Sequence, residues 1–251
     1  MNDPHVQSLR YRFEPTEGNK FNAPPVPWNT TEADFELADG YLTARPKNHY
    51  PDIEQARVVI DPLVRAWEVE AGINYRQREF RFKFTNGEVI ERRPTPGVVK
   101  LSGTITATGS LSAVLTRANY PPPPGQFIVT PDVDVIWERY ARYREGAESL
   151  PSMAYFCLTV LKGLARRRTE AAIKYNISDA ILKKLENLTS TKGDPSMARK
   201  APRGGSYEPL TKREIDWIET VVLAIIRRLS EAAISPTNLR KITMADLPPL
   251  D

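Results

Sequence analysis

Four consecutive prolines, residues 121–124, divide this chain into two parts with different local patterns. A proline run removes backbone donors and fixes φ, so it can neither continue a helix nor form a central strand. Gly125 follows the run directly, and we interpret residues 121–130 as an extended linker. The division predicts one domain over residues 1–120 and a second over residues 131–251, which suits a chain of 251 residues.

The first part contains two turn dipeptides that predict β-hairpins. Residues 35–44 place Asp39-Gly40 between two short apolar segments, and residues 79–92 place Asn86-Gly87 in the same position. Aspartate or asparagine followed by glycine is the strongest local signal for a two-residue hairpin turn. Both segments therefore predict pairs of antiparallel strands.

The rest of the first part predicts further strands and a helix. Residues 6–13 alternate apolar and polar side chains, and residues 98–115 are rich in Val, Thr and Ile. Residues 52–71 have helical periodicity, with a break or kink expected at Pro62. Together these patterns predict an α+β fold, with an N-terminal antiparallel sheet and one or two helices.

The second part carries helix-start signals and predicts an all-α domain. The sequence Thr130-Pro131-Asp132 combines a capping hydroxyl, a proline in the first turn and an acid beside the positive helix end. Thr211 and Glu214 form a capping box for the last helix. Residues 189–207 are rich in Ser, Thr, Gly, Pro, Lys and Arg, and they predict a mobile basic loop.

Residues 169–188 predict two short helices joined by a tight turn. Ala172 supplies the small side chain that lets two helices cross closely, and Asn176 tolerates the left-handed conformation of a turn. Ser178 can accept a hydrogen bond from the free N–H groups of the second helix. The apolar side chains recur at helical spacing and predict a buried face: Ile177, Ile181, Leu182, Leu185 and Leu188.

This spacing resembles the helix-turn-helix of DNA-binding proteins, with asparagine in place of the commoner glycine at the turn. The resemblance covers residues 169–188. It implies that the second helix enters a DNA groove with Lys183, Lys184 and Asn187 facing the bases. It also implies that Ser178, at the start of the second helix, belongs to the binding surface. Nearby basic residues are expected to contact phosphates, namely Arg166, Arg167, Arg168, Lys174, Lys192, Arg199 and Lys200.

Positive charge is concentrated around this motif. Residues 162–203 contain eleven Lys/Arg and four Asp/Glu, whereas residues 1–150 contain 18 Lys/Arg and 20 Asp/Glu. A local basic excess is typical of phosphate-binding surfaces, so we expect nucleic acid as the partner. The same surface suits an acidic protein. The alternative is therefore a protein–protein interaction subunit of a bacterial multi-component assembly, or a chain that associates with itself.

The sequence offers few residues for catalysis, and we expect neither an enzyme nor a bound cofactor or metal. The histidines are His5 and His49 and the one cysteine is Cys157, which excludes a cysteine–histidine zinc site of the usual spacing. Neither a GxSxG elbow nor a Walker loop occurs. His49, Asp52 and Glu54 could hold a metal or lead into a helix, so an enzyme of unrecognised type is a second alternative.

The distribution of apolar residues predicts a cytoplasmic protein that does not enter a membrane. No run of eighteen apolar residues occurs, and residues 1–15 lack the apolar centre of a secretory signal. Cys157 has no partner for an internal disulfide, as is usual in a reducing compartment. It lies in an apolar helical run that predicts a buried, inert thiol.

Overall fold

The computed structural model describes residues 3–17, 19–92, 115–192 and 208–250. The chain forms two compact units. Unit 1 comprises Met1–Gly72 and Arg78–Pro124, and unit 2 comprises Ile73–Gln77 and Gly125–Asp251. An antiparallel sheet lies in the N-terminal part and helices dominate the C-terminal part, so the predicted α+β class is confirmed.

Unit 1 contains a five-stranded antiparallel sheet. Its strands are β1 (Pro4–Pro15), β3 (Val26–Asn29), β4 (Ala33–Ala38), β5 (Tyr41–Pro46) and β6 (Phe80–Glu91). They are arranged in the order β3-β4-β5-β1-β6. A separate parallel pair joins β2 (Asn19–Phe21) to β7 (Leu115–Arg117). The core face of β1 buries Val6, Leu9, Tyr11 and Phe13, as the predicted alternation requires once a bulge between Val6 and Ser8 is included.

The Asp39-Gly40 turn joins β4 to β5, which confirms the first predicted hairpin. Asp39 and Gly40 both have positive φ, at +51° and +75°, as the commonest two-residue hairpin turn requires. The Gly40 N–H also donates to the Tyr120 hydroxyl at 3.1 Å. This bond ties the turn to the residue directly before the proline run.

The second predicted hairpin, at Asn86-Gly87, is wrong, because Phe80–Glu91 is the single strand β6. Strand β6 pairs with β1 along its length and bulges at Thr85. Gly87 lies opposite Leu9, and a Cβ at Gly87 would lie 3.0 Å from both Ile53 Cγ1 and Leu9 Cδ2. The glycine therefore permits close packing inside a strand and does not form a turn.

Helix α1, Ile53–Tyr75, follows β5 and shares one hydrophobic core with the sheet. Asp52 caps it, since its Oδ1 accepts from the Gln55 N–H at 2.8 Å. The helix has no break at Pro62, because it is continuous over 23 residues, and a kink there stays a prediction. Pro62 removes the donor to the Val58 carbonyl, but both residues lie on the exposed face, where water can hydrate that carbonyl.

Unit 2 contains five α-helices and one short 3-10 helix, Met244–Asp246, among its described residues after Gly125. The α-helices are α2 (Pro131–Arg144), α3 (Leu150–Ala165), α4 (Arg168–Lys174), α5 (Asp179–Thr191) and α6 (Lys212–Ile234). Both predicted start signals are confirmed: Thr130 Oγ1 accepts from the Val133 N–H, and Thr211 and Glu214 form the capping box. Throughout the ranges described, no helix combines the length and apolarity needed to cross a bilayer.

The first three residues of the predicted loop over residues 189–207 are helical. Thr189, Ser190 and Thr191 form the end of α5, and their hydroxyls donate to carbonyls four residues earlier at 2.7, 2.6 and 2.6 Å. Hydroxyl side chains can satisfy helix carbonyls in this way, so their presence does not by itself end a helix. Residues 193–207 lie outside the described residues, and so do residues 98–114 of the segment 98–115 that was predicted to form strands. Leu115 begins β7.

We predict that Gly87→Ala lowers the free energy of unfolding of unit 1 by about 1–3 kcal/mol, because the added methyl group overpacks the contact with Ile53 and Leu9. Gly163→Ala in α3 is the control. A Cβ at Gly163 meets nothing within 4 Å, so this change is expected to gain up to about 1 kcal/mol through helix propensity. Urea unfolding of each variant measures the difference. Equal effects of the two substitutions would contradict the packing argument.

We predict that native Cys157 reacts slowly with a thiol reagent at neutral pH. Its side chain is fully buried in α3, and burial raises the pKa of the thiol, so the reactive thiolate is scarce. A labelling time course in buffer, compared with one in denaturant, checks this expectation. Labelling at similar rates in both conditions would show that α3 opens in the folded protein.

Candidate nucleic-acid interface

Helices α4 and α5 form the predicted pair of short helices with a left-handed turn. Asn176 has φ +48°, and the Ile177 N–H donates to the Ala172 carbonyl at 2.9 Å across the turn. Ala172 is buried, as its expected place at a helix contact requires. Asparagine therefore fills the position for which glycine is the commoner choice.

The predicted apolar face of the second helix is buried. Its five members are at most 3 % exposed: Ile177, Ile181, Leu182, Leu185 and Leu188. They contribute to the core of unit 2, where α5 packs against α3, α4 and α6. The helical period read from the sequence thus fixes which side of α5 faces outward.

The outward side of α5 carries the residues predicted to face DNA bases. Ala180, Lys183 and Asn187 are exposed, and Lys184 is partly exposed beside them. Their spacing of three and four residues places Ala180, Lys183 and Asn187 in one stripe along the helix. A stripe with an ammonium and an amide offers hydrogen-bond donors and one acceptor to a partner.

Ser178 does not cap α5 with its side chain, which corrects the expectation for this residue. Its backbone N–H instead donates to the Ile242 carbonyl at 2.8 Å, and the Ile242 N–H donates to the Asn176 carbonyl at 3.0 Å. Ile177 and Ile242 form a parallel β-bridge. A segment beyond α6 supplies these main-chain bonds, so the sequence around Ser178 could not predict how the start of α5 is held.

We call residues 239–242 the C-terminal clasp, because they hold the α4–α5 turn from outside the motif. The Asn176 side-chain amide donates to the Leu239 carbonyl at 2.7 Å. Beneath the turn lies Arg228, whose side chain is 4 % exposed. Its guanidinium donates to the Tyr175 carbonyl at 2.6 Å, the Asn176 carbonyl at 3.1 Å and the Arg240 carbonyl at 2.5 Å. One cation therefore joins α6, the turn and the clasp.

Arg168 is engaged by the two acids of α5. Its guanidinium donates to Asp179 at 2.8 and 3.2 Å and to Glu186 at 3.1 Å. Lys162 forms a second ion pair with Glu186, and this lysine, more than Arg168, holds the pKa of the Glu186 carboxyl below its usual range. Arg168 was predicted to contact phosphates. In the structure it instead forms ion pairs that compensate the two carboxylates of α5.

The other predicted phosphate contacts differ in their surroundings. Arg166 and Arg167 are exposed between α3 and α4, with Arg167 at 81 % side-chain exposure. Lys174 is exposed and donates to the Leu164 carbonyl at 3.0 Å. Lys192 forms ion pairs with Glu208 at 2.7 Å and Glu214 at 2.9 Å, so it is engaged within the chain. Arg199 and Lys200 lie outside the described residues.

The group considered for a metal, His49, Asp52 and Glu54, does not converge. Asp52 caps α1, and His49 Nε2 lies 2.9 Å from the Pro4 carbonyl and 3.2 Å from Asp3 Oδ1. Within the described ranges, no three His, Cys, Asp or Glu side chains are grouped so that they could hold a metal ion. Asp52 and Glu54 belong to the start of α1, whereas His49 lies beside Asp3 and Pro4.

We predict that Arg228→Ala lowers the free energy of unfolding of unit 2 by about 2–5 kcal/mol, because three carbonyls lose a charged donor and two of them belong to the turn. Arg227→Ala is the matched control. The Arg227 side chain, next to Arg228 in sequence, is exposed. Its removal is therefore expected to change the free energy of unfolding by less than about 1 kcal/mol. Denaturant unfolding followed by tryptophan fluorescence measures both. Similar small effects would mean that Arg228 does not hold the turn.

Comparisons with known proteins identify no relative. No protein-family model, curated protein or solved structure gives a significant match to this chain. The α4–α5 pair with its clasp is the part of the described chain where exposed cationic side chains lie on a helix fixed by buried hydrogen bonds.

Proposed function

We propose that this protein binds duplex nucleic acid, most simply DNA, through the α4–α5 pair. Helix α5 would lie in the major groove and α4 would cross the backbone, as in helix-turn-helix binding. The observation that carries the proposal is the charge arrangement of α5. Lys183 and Asn187 face outward, whereas Asp179 and Glu186 are bound by Arg168.

The dimensions and donors of α5 suit this role. Its 13 residues span about 20 Å, and an α-helix fits a major groove about 12 Å wide. Lysine donates to guanine O6 and N7 or to phosphate oxygens, and asparagine can bind adenine through N6 and N7. Ala180, small and exposed in the first turn, allows close approach at the end of the helix that usually meets the bases.

Neutralising the acids of α5 removes repulsion that would otherwise oppose binding. Two carboxylates on the same helix would repel phosphates at close range. In this protein Asp179 raises the pKa of the Arg168 guanidinium through a direct hydrogen bond, and Lys162 lowers the pKa of Glu186. These two shifts favour the charged forms of Arg168 and Glu186, so the ion pairs compensate the acids of α5 and the outward lysines set the sign of the field.

We predict that Lys183→Ala combined with Lys184→Ala weakens binding to duplex DNA without unfolding the protein. The dependence of log K on log salt is expected to lose about one to two units of slope, about one for each lost phosphate contact. The melting temperature should change little, because exposed lysines contribute little to stability. Binding isotherms at several salt concentrations, beside a thermal melt, measure both quantities.

Two further variants make this experiment specific. Arg81→Ala combined with Lys83→Ala removes two exposed positive charges from β6 in unit 1 and should leave the salt slope unchanged. Leu182→Ala, at a fully buried position of α5, should destabilise the fold by about 2–5 kcal/mol. Wild-type protein that shows no binding even at low salt would exclude the nucleic-acid proposal.

A protein partner is the second candidate, and one observation favours it. Ile173 on α4 is 81 % exposed, and a protein partner that covered α4 would remove this apolar side chain from water. An acidic protein surface would pair with the same lysines of α5. The salt titration with duplex DNA separates the two candidates. A helix that enters the groove is expected to bind duplex DNA at low salt, whereas a surface specific for another protein is expected not to bind it.

A further inference from the structure

We infer that Lys241 of the C-terminal clasp belongs to the same nucleic-acid-binding surface and contacts a backbone phosphate. The inference rests on the proposed function and adds a binding residue outside the helix-turn-helix sequence. It begins with the Ile177–Ile242 bridge, whose two hydrogen bonds measure 2.8 and 3.0 Å. These bonds fix the clasp backbone directly against the α4–α5 turn.

The bridge determines which way the clasp side chains face. Ile177 is 3 % exposed and its partner Ile242 is partly buried, so both point towards the core of unit 2. Neighbouring residues in extended backbone point to opposite sides. Lys241 therefore points away from this core. Its side chain is exposed and lines a surface cavity together with Arg227 and Glu231 of α6. In the parallel bridge it lies beside Asn176, at the turn that leads into α5.

Lys241 adds a positive charge to this part of the surface, where Arg227 of α6 is also exposed. Arg240, 86 % exposed, forms an ion pair with Asp246 at 2.6 Å, so these two charges cancel. Across the residues that the structure describes, no carboxylate lies within ion-pair distance of the Lys241 ammonium. An exposed ammonium on a short, anchored segment is suited to a phosphate, which it meets as a point charge.

The anchoring of the clasp favours a phosphate contact over base recognition. The Arg240 carbonyl accepts from buried Arg228, and the Leu239 carbonyl accepts from the Asn176 amide, so the backbone on the N-terminal side of Lys241 is held. Contacts from held backbone beside a recognition helix position a protein on the duplex. Lys241 would thereby fix the position of the N-terminal end of α5 along the duplex whose groove α5 enters.

Lys241→Ala tests the inference in the full-length chain, with random-sequence duplex DNA as the probe. One lost phosphate contact changes the salt slope by about one unit, which corresponds to about a five- to tenfold loss of affinity at ~0.1 M salt. Lys241→Arg keeps the charge and should retain both affinity and slope. The melting temperature of each variant should match wild type, because the side chain is exposed and the clasp is held by its backbone.

The outcomes separate this inference from the proposed function. A reduced slope for Lys241→Ala, with rescue by arginine, supports the inference. Wild-type binding that depends on Lys183 and Lys184 but is unchanged in Lys241→Ala overturns it and leaves the proposed function standing. Equal losses in the alanine and arginine variants also overturn it, because the loss would not follow charge. Absence of wild-type binding at low salt overturns both.

Discussion

The arrangement of the α4–α5 turn depends on one buried cation, the guanidinium of Arg228. A left-handed residue at Asn176 redirects the chain, and the Tyr175 and Asn176 carbonyls then need donors away from water. Arg228 supplies them from α6 and also binds the carbonyl of Arg240 in the clasp. A planar guanidinium offers several donors in a fixed geometry, so one side chain sets three segments against each other. This contact therefore holds the turn that leads into α5.

Unit 1 depends on a different constraint, the close approach of α1 to the sheet at Gly87. Leu9 and Ile53 occupy the space that a side chain at this position would need. The bulge at Thr85 changes the register just before the glycine. At the far end of the unit, Trp67 Nε1 donates to the Pro121 carbonyl at 3.2 Å, so the start of the proline run is fixed to α1.

Surface charge in unit 2 is decided by ion pairing more than by residue counts. The basic excess of residues 162–203 includes Lys162, Arg168 and Lys192, which form ion pairs within the chain. These three side chains compensate the negative charge of nearby carboxylates. The outward lysines of α5 therefore have no uncompensated acid of α5 beside them. The exposed Lys241 lies about sixty residues beyond α5 in the sequence, in the clasp, which main-chain hydrogen bonds hold against the α4–α5 turn. The phosphate-binding surface that we propose is therefore smaller than the sequence suggests, and it includes Lys241, which the sequence did not indicate.

Local patterns in the sequence determined the α+β class, the Asp39-Gly40 hairpin, the helix starts at Thr130 and Thr211, and the inner and outer faces of α5. Each depends on backbone preference or helical period within a few residues. Asn86-Gly87 has the same turn signal as Asp39-Gly40, yet it lies within a strand because Ile53 packs against Gly87. Ser178 has the composition of a cap, yet its N–H pairs with Ile242. Only tertiary structure decided these positions, because the deciding partner is distant in sequence and its contact is invisible to any local pattern.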